Sequence, residues 1–124
     1  MPSDAYANTI LDNLFLGGGN LYLVLSTTAP GENATGVTRP TDSAYTDTEV
    51  PATTAAFAAA VNRETVTVAD IVCPAPEDGE YVLRGFGWAL TQGGDPIEAG
   101  PTSPVRVAPG SNLCFPSGLI AGRA

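Results

Sequence analysis

Hydrophobic positions along the chain change their period twice. The first apolar set, Ala7, Ile10, Leu11, Leu14 and Phe15, follows the i, i+3, i+4, i+7, i+8 spacing of one helical face. Ser3 stands where an N-cap belongs, and Asp4 falls in the first turn, where the helix dipole favours an anion. A helix over 3–16 is predicted, with Asp4, Asn8, Asp12 and Asn13 mostly off its apolar face. Gly17-Gly18-Gly19 stops it, because glycine frees the chain to leave the helical region. A helix of about a dozen residues is marginal alone, so this stripe has to dock.

Leu21 to Ser26 is apolar on both faces, as expected of a central strand covered on both sides. From Thr27 to Thr54 the periodicity disappears. Pro30, Pro40 and Pro51, several threonines, Gly31 and Gly36, and the acids Glu32, Asp42, Asp47 and Glu49 describe one long loop over 27–54. Loops beyond about 15 residues in a compact domain are usually functional or mobile, so this one is the first place to expect contacts with a partner.

The remainder, 55–124, reads as short strands with turn punctuation. Ala55 to Val61 and Thr65 to Val72 are predicted strands separated by Asn62-Arg63-Glu64. Pro74 to Gly79 is an exposed turn. Tyr81 to Leu90 alternates, with Val82, Phe86, Trp88 and Leu90 on one face and Leu83, Gly85, Gly87 and Ala89 on the other. The two glycines leave room for a close approach by another backbone or ring. Gly93-Gly94-Asp95 is a hairpin turn, followed by short strands at Ile97 to Ala99 and Val105 to Val107, a tight turn at Pro109-Gly110, and last pieces at Leu113 to Phe115 and Leu119 to Ala121. This spacing predicts a mainly β fold, a single-domain β-sandwich or jelly-roll-like barrel spanning 1–124 with one N-terminal α-helix.

Composition narrows the chemistry. The 124 residues hold 13 acids against five cations, a formal net charge of -8, and the cations are all arginines: Arg39, Arg63, Arg84, Arg106 and Arg123. Nucleic-acid binding needs clustered cations, which five scattered arginines do not supply. Charged residues make up only 15%, while a mean hydropathy of +0.10 leaves enough apolar material for a core. Few charges would have to be desolvated on association, which suits an oligomer or an assembly component. No basic leader and no run of about 18 apolar residues is present, so synthesis in the cytoplasm and no membrane partner are expected. Cys73 and Cys114 sit in apolar segments and are expected as two reduced, buried thiols rather than one disulfide.

With no histidine and no lysine, Ser-His-Asp, Cys-His, Schiff-base and Ser-Lys chemistry are impossible. Paired carboxylates remain, in Glu77, Asp78 and Glu80 and in Asp42, Asp47 and Glu49, and solvated turn acids are the expected reading of both groups. Zinc lacks a ligand set, and calcium could draw only on Asp42, Asp47 and Glu49, outside any EF-hand spacing. No metal, cofactor or catalytic residue is therefore expected. Gly17-Gly18-Gly19 follows a helix instead of opening one, Gly85-Phe86-Gly87 lies within a strand, and Asn33-Ala34-Thr35 is a sequon by chance. Trp88, Phe86 and Tyr81 are read as core aromatics, with a sugar-stacking platform as the alternative.

The order of segments ILDNLFLGGG, LYLVLSTTAP, a Gly/Thr loop ending in TEV, VLRGFGWALTQGGDPIEAG and RVAPGSNLCFPSGLIAG resembles small virion proteins of tailed bacteriophages, a group labelled capsid-decoration, minor tail or tail-fibre proteins. The resemblance spans nearly the whole chain through short hydrophobic motifs. The alanine-rich Ala55 to Val61, and Cys73 where an aromatic residue is expected, depart from the pattern. The resemblance implies a β-sandwich-like fold, self-association and attachment to a capsid or tail, with no catalytic residues. An acidic, lysine-free chain is poorly suited to face packaged DNA, so the capsid exterior is expected over the tail. The expected partners are a second and third copy in a homo-trimer and the major capsid protein. The segments expected to touch them are the long loop, through Pro30, Arg39, Pro40, Tyr45 and Val50, and the helix, through Ile10 and Leu14. A tail component with a host-recognition role and a carbohydrate-binding module built on Trp88 are the alternatives.

Overall fold

In the computed structural model, which describes residues 3–124, one α-helix is followed by a 3-10 turn (Glu32–Ala34) and eight β-strands. The fold is mainly β with antiparallel sheets, the class that the strand spacing predicts and one consistent with a β-sandwich. Contacts group the chain into two compact units. One holds the residues up to Leu21 with Val50–Ile71 and Phe115–Ala124; the other holds Tyr22–Glu49 and Val72–Cys114.

In the first unit, helix α1 (Asp4–Phe15) starts where Ser3 Oγ accepts the Tyr6 amide at 3.2 Å. It ends before Gly18 and Gly19, both at positive φ. Their backbones hold the chain at Ala52 by two reciprocal bonds, Gly18 N–H to the Ala52 carbonyl and Ala52 N–H to the Gly19 carbonyl, at 3.0 and 3.1 Å. The buried stripe is narrower than the apolar pattern: Ala7, Leu11 and Phe15 are buried, Leu14 is half-buried, and Ile10 is 47% exposed. At about 100° per residue, the i, i+4, i+8 row alone faces the core and Ile10 falls on its flank. Phe15 meets Phe57 with ring centroids 4.9 Å apart. On the adjoining flank, Asp12 and Asn8 accept the amides of Ala60 and Arg63 at 2.8 and 2.9 Å.

The predicted strand from Ala55 to Val61 does not form. Thr53 caps a turn by accepting the Ala56 and Phe57 amides on its carbonyl, and only isolated bridges follow, Phe57 with Thr67 and Val61 with Glu64. Alanine has little side chain to gain from a pleated surface, so Phe57 supplies the burial here. Asn62 and Arg63, both at positive φ, form the two-residue turn into β3 (Glu64–Val66). The expected strand from Thr65 to Val72 is divided into β3 and β4 (Ile71–Val72), because the intervening bend lets Asp70 accept the Ser117 amide. β3 pairs antiparallel with β8 (Ile120–Arg123). Thr67 clamps the preceding turn, donating from Oγ1 to the Pro116 carbonyl and accepting the Leu119 amide on the same atom.

The four-stranded sheet runs β2-β1-β5-β6, with β1 as Asn20–Ser26, β2 as Thr48–Pro51, β5 as Tyr81–Ala89 and β6 as Pro96–Val107. β1 is interior and Leu21, Leu23, Val24 and Leu25 are all buried, as its unbroken apolar run predicts. β2 lies inside the stretch 27–54 that reads as loop, a correction that leaves 27–47 between strands. β6 is one strand in place of two short ones. Its register shifts against β5 between Leu83 and Gly85, which absorbs Thr102 to Pro104, and Pro101 and Pro104 are tolerated because β6 is an edge. On β5 the fully covered face is Leu83, Gly85, Gly87 and Ala89. A Cβ on Gly85 would fall on the Pro30 ring and 2.8 Å from the Gly100 carbonyl oxygen, and one on Gly87 would lie 2.6 Å from the Glu98 carbonyl oxygen. The other face grades from buried Trp88 through half-buried Phe86, edge-on to Trp88 at 6.4 Å, to exposed Arg84.

The Cys73 thiol is buried, and burial raises its pKa. Cys114, expected in the core, is exposed: β7 (Cys114–Phe115) buries Phe115, and alternation turns its neighbour outward. Both thiols are free.

Two packing details set measurable stabilities. Gly85→Ala is expected to lower stability by about 1–3 kcal/mol in chemical denaturation, since it must displace Pro30 or the β6 backbone. Thr65 is fully buried with no hydrogen-bond partner for Oγ1 among the described residues, so Thr65→Val, of the same shape, is expected to gain about 1 kcal/mol. A loss in that variant would show that the hydroxyl is satisfied.

Candidate functional site

The long loop between β1 and β2 is built from three polar hubs, all within the second unit. Ser26, fully buried at the end of β1, donates from Oγ to the Thr28 carbonyl at 2.6 Å and accepts the Thr38 amide at 3.0 Å. Thr27 N–H donates to the Thr38 carbonyl and Thr28 Oγ1 to that of Gly36, so the excursion through the 3-10 turn closes at its base.

Asp42 forms the second hub. Its carboxylate accepts the amides of Ala44, Glu77 and Asp78 at 2.8–3.0 Å, and Asp78 returns the contact by accepting the Ser43 amide and hydroxyl. The Glu77 amide, ahead of the others, holds the Asp42 pKa below the usual carboxylate range. These acids are structural caps on the Pro74 to Gly79 turn.

Asp47 is the third hub and a correction to its reading as a solvated turn acid: its side chain is 1% exposed. Arg39 binds it through Nε and Nη2 at 3.0–3.2 Å. Tyr45 donates its hydroxyl to Oδ1 at 2.6 Å, and the Gly93 amide donates to Oδ2 at 3.0 Å. The Asp47 backbone exchanges two hydrogen bonds with the Gln92 carboxamide, at 3.0 and 2.9 Å. Arg39 Nη2 also reaches the Gly94 carbonyl, and Tyr45 Oη accepts the Leu25 amide of β1 at 3.0 Å. Burial alone would raise the Asp47 pKa, but the hydrogen bonds from Arg39, Tyr45 and Gly93 outweigh it and leave the carboxyl below its ordinary value. The Arg39 pKa rises, chiefly through that same bond, and the Tyr45 pKa is raised strongly by burial and then by Asp47.

Of the seven residues expected to touch partners, Pro30, Pro40 and Val50 are buried and present little side-chain surface, because they pack within the chain itself. Arg39 and Tyr45 are spent on Asp47. Ile10 is exposed and Leu14 half-buried. Trp88 is 1% exposed, so it is a core residue and offers no sugar-stacking platform. Among the described residues no three His, Cys, Asp or Glu side chains come together as a metal-binding group. No described helix is long and apolar enough to cross a membrane. The signal for the Asp47 hub is faint in the sequence: an arginine and an aspartate eight residues apart in a loop otherwise without cations. No protein-family model matches the chain, and no curated protein matches it.

Removing Asp47 strands Arg39, the Tyr45 hydroxyl and the Gly93 amide together. Breaking a buried pair costs about 3–5 kcal/mol, and the 30% exposure of Arg39 discounts this, so Asp47→Ala is expected to lose about 2–4 kcal/mol in urea denaturation. Because the folded pKa of Asp47 lies below its unfolded value, its stabilisation is complete above about pH 4 and is lost as pH falls through the folded value. A stability–pH curve should therefore show an acid limb that is shallower in Asp47→Ala. An unchanged limb would assign it to other carboxylates.

Proposed function

We propose that this chain is a structural, non-enzymatic virion protein that decorates and stabilises the exterior of a tailed-phage capsid, through self-association and contacts with the major capsid protein. The observation that carries the reading is the distribution of side chains. The loop's charged and hydroxyl groups are largely consumed in internal hubs, while Tyr6, Ile10, Val61, Val68, Val72, Leu90, Ile97 and Val105 stand 40–64% exposed. A chain with 15% charged residues and apolar side chains left at the surface is suited to being covered by neighbours at little desolvation cost. The segment order shared with small phage virion proteins supports the same role, and the -8 charge favours the outside of the shell over the DNA side.

A protein that binds only the assembled shell stabilises it by mass action. Particles lacking this chain are expected to assemble heads of normal size yet release DNA at lower temperature than complete particles, with added protein restoring the difference. Cryo-electron microscopy that places the chain on the tail alone would overturn the capsid assignment and favour a tail component.

A further inference from the structure

Four of the five arginines are held in ion pairs within the chain: Arg39 with Asp47, Arg63 with Asp4, Arg106 with Glu80 and Arg123 with Glu64. Arg84 is exposed in the middle of β5 and pairs with no carboxylate among the described residues. Its position is open for a structural reason. The β1 pairing ends at Ser26 opposite Gly85, and the β6 register jumps from Leu83 to Gly85, so Arg84 has no cross-strand residue on either side. Half-buried Val82 and Phe86 flank it on the same face, and Phe86 lies opposite Gly100, where a side chain would meet open space.

Two residues before Val82, Glu80 turns to this face to reach Arg106, the residue opposite Val82, at 3.0 Å through Oε1. Along one face the order is therefore acid, aliphatic, cation, aromatic. That order is self-complementary. A two-fold axis beside Val82 exchanges the positions of Glu80 and Arg84, the condition for an isologous interface. With Glu98, opposite Trp88, the same face holds two acids and two arginines, so it meets its own copy without net like charge, while the rest of the molecule carries the -8. Arginine beside an aromatic is the composition typical of interface centres.

We propose that this face of β5 docks a second copy of the chain, with Val82 of each copy meeting at the axis, Arg84 of each against Glu80 of the other, and Phe86 closing the two outer ends. The inference rests on the self-association in the proposed function and makes the pair the unit of assembly, in place of the trimer expected from the sequence.

Sedimentation equilibrium of the full chain, over a range of concentrations, tests it. The wild type is expected to dimerise, and Arg84→Glu and Glu80→Arg each to weaken dimerisation by about tenfold or more. An equimolar mixture of the two variants should recover it, which a general loss of fold could not do; unchanged melting of each variant alone is the accompanying check. A wild-type oligomer insensitive to Arg84→Glu would overturn this face and leave self-association standing. A wild type that stays monomeric throughout would remove both, whatever the particle experiments show.

Discussion

A carboxylate taken out of water has to be compensated on all sides, and that requirement, met at Asp47, organises the second unit. Four groups converge on its side chain or backbone from separate stretches of chain: Arg39 and Tyr45 from the loop, Gln92 and Gly93 from the hairpin turn. Tyr45 in turn satisfies the Leu25 amide on the strand at the sheet's centre. An irregular segment of this length would otherwise leave its backbone groups to water. Here it is tied at three hubs, Ser26, Asp42 and Asp47, and its Pro30 ring fills the space that Gly85 leaves open.

The same economy shapes the surface. Because so few charged residues are present and most cations are engaged inside the chain, apolar side chains stand at several exposed positions, and Arg84 makes no ion pair among the described residues. Internal compensation and external stickiness are thus two sides of one composition. The proposed role in an assembly uses both: a loop tied down by internal hydrogen bonds, and a surface poor in charge that costs little to desolvate.

Much of the fold was legible because it depends on local rules. Ser3, the apolar spacing after it and the glycine run mark α1; the unbroken Leu21 to Leu25 run marks an interior strand; Gly93-Gly94 and Pro109-Gly110 mark turns. Less of the candidate site was legible. The loop is singled out by its lost periodicity, yet Pro30, Pro40 and Val50 are buried, and Arg39 and Tyr45 are bound to Asp47. Nothing local distinguishes a proline that covers a glycine 55 residues away from one that lies on the surface.

By itself, then, the sequence determined the mainly β class, the helix, the interior strand and the chemistry that is impossible without histidine or lysine, since period, capping and composition act within a few residues or across the whole chain at once. Only the tertiary structure decided that Ala55 to Val61 is not a strand, that Cys114 and Ile10 face outward, that Asp47 is buried and that Arg84 makes no ion pair among the described residues. Each of these turns on which distant backbone or side chain arrives to fill a space or satisfy a charge, and such arrivals are set by packing and register rather than by neighbouring residues.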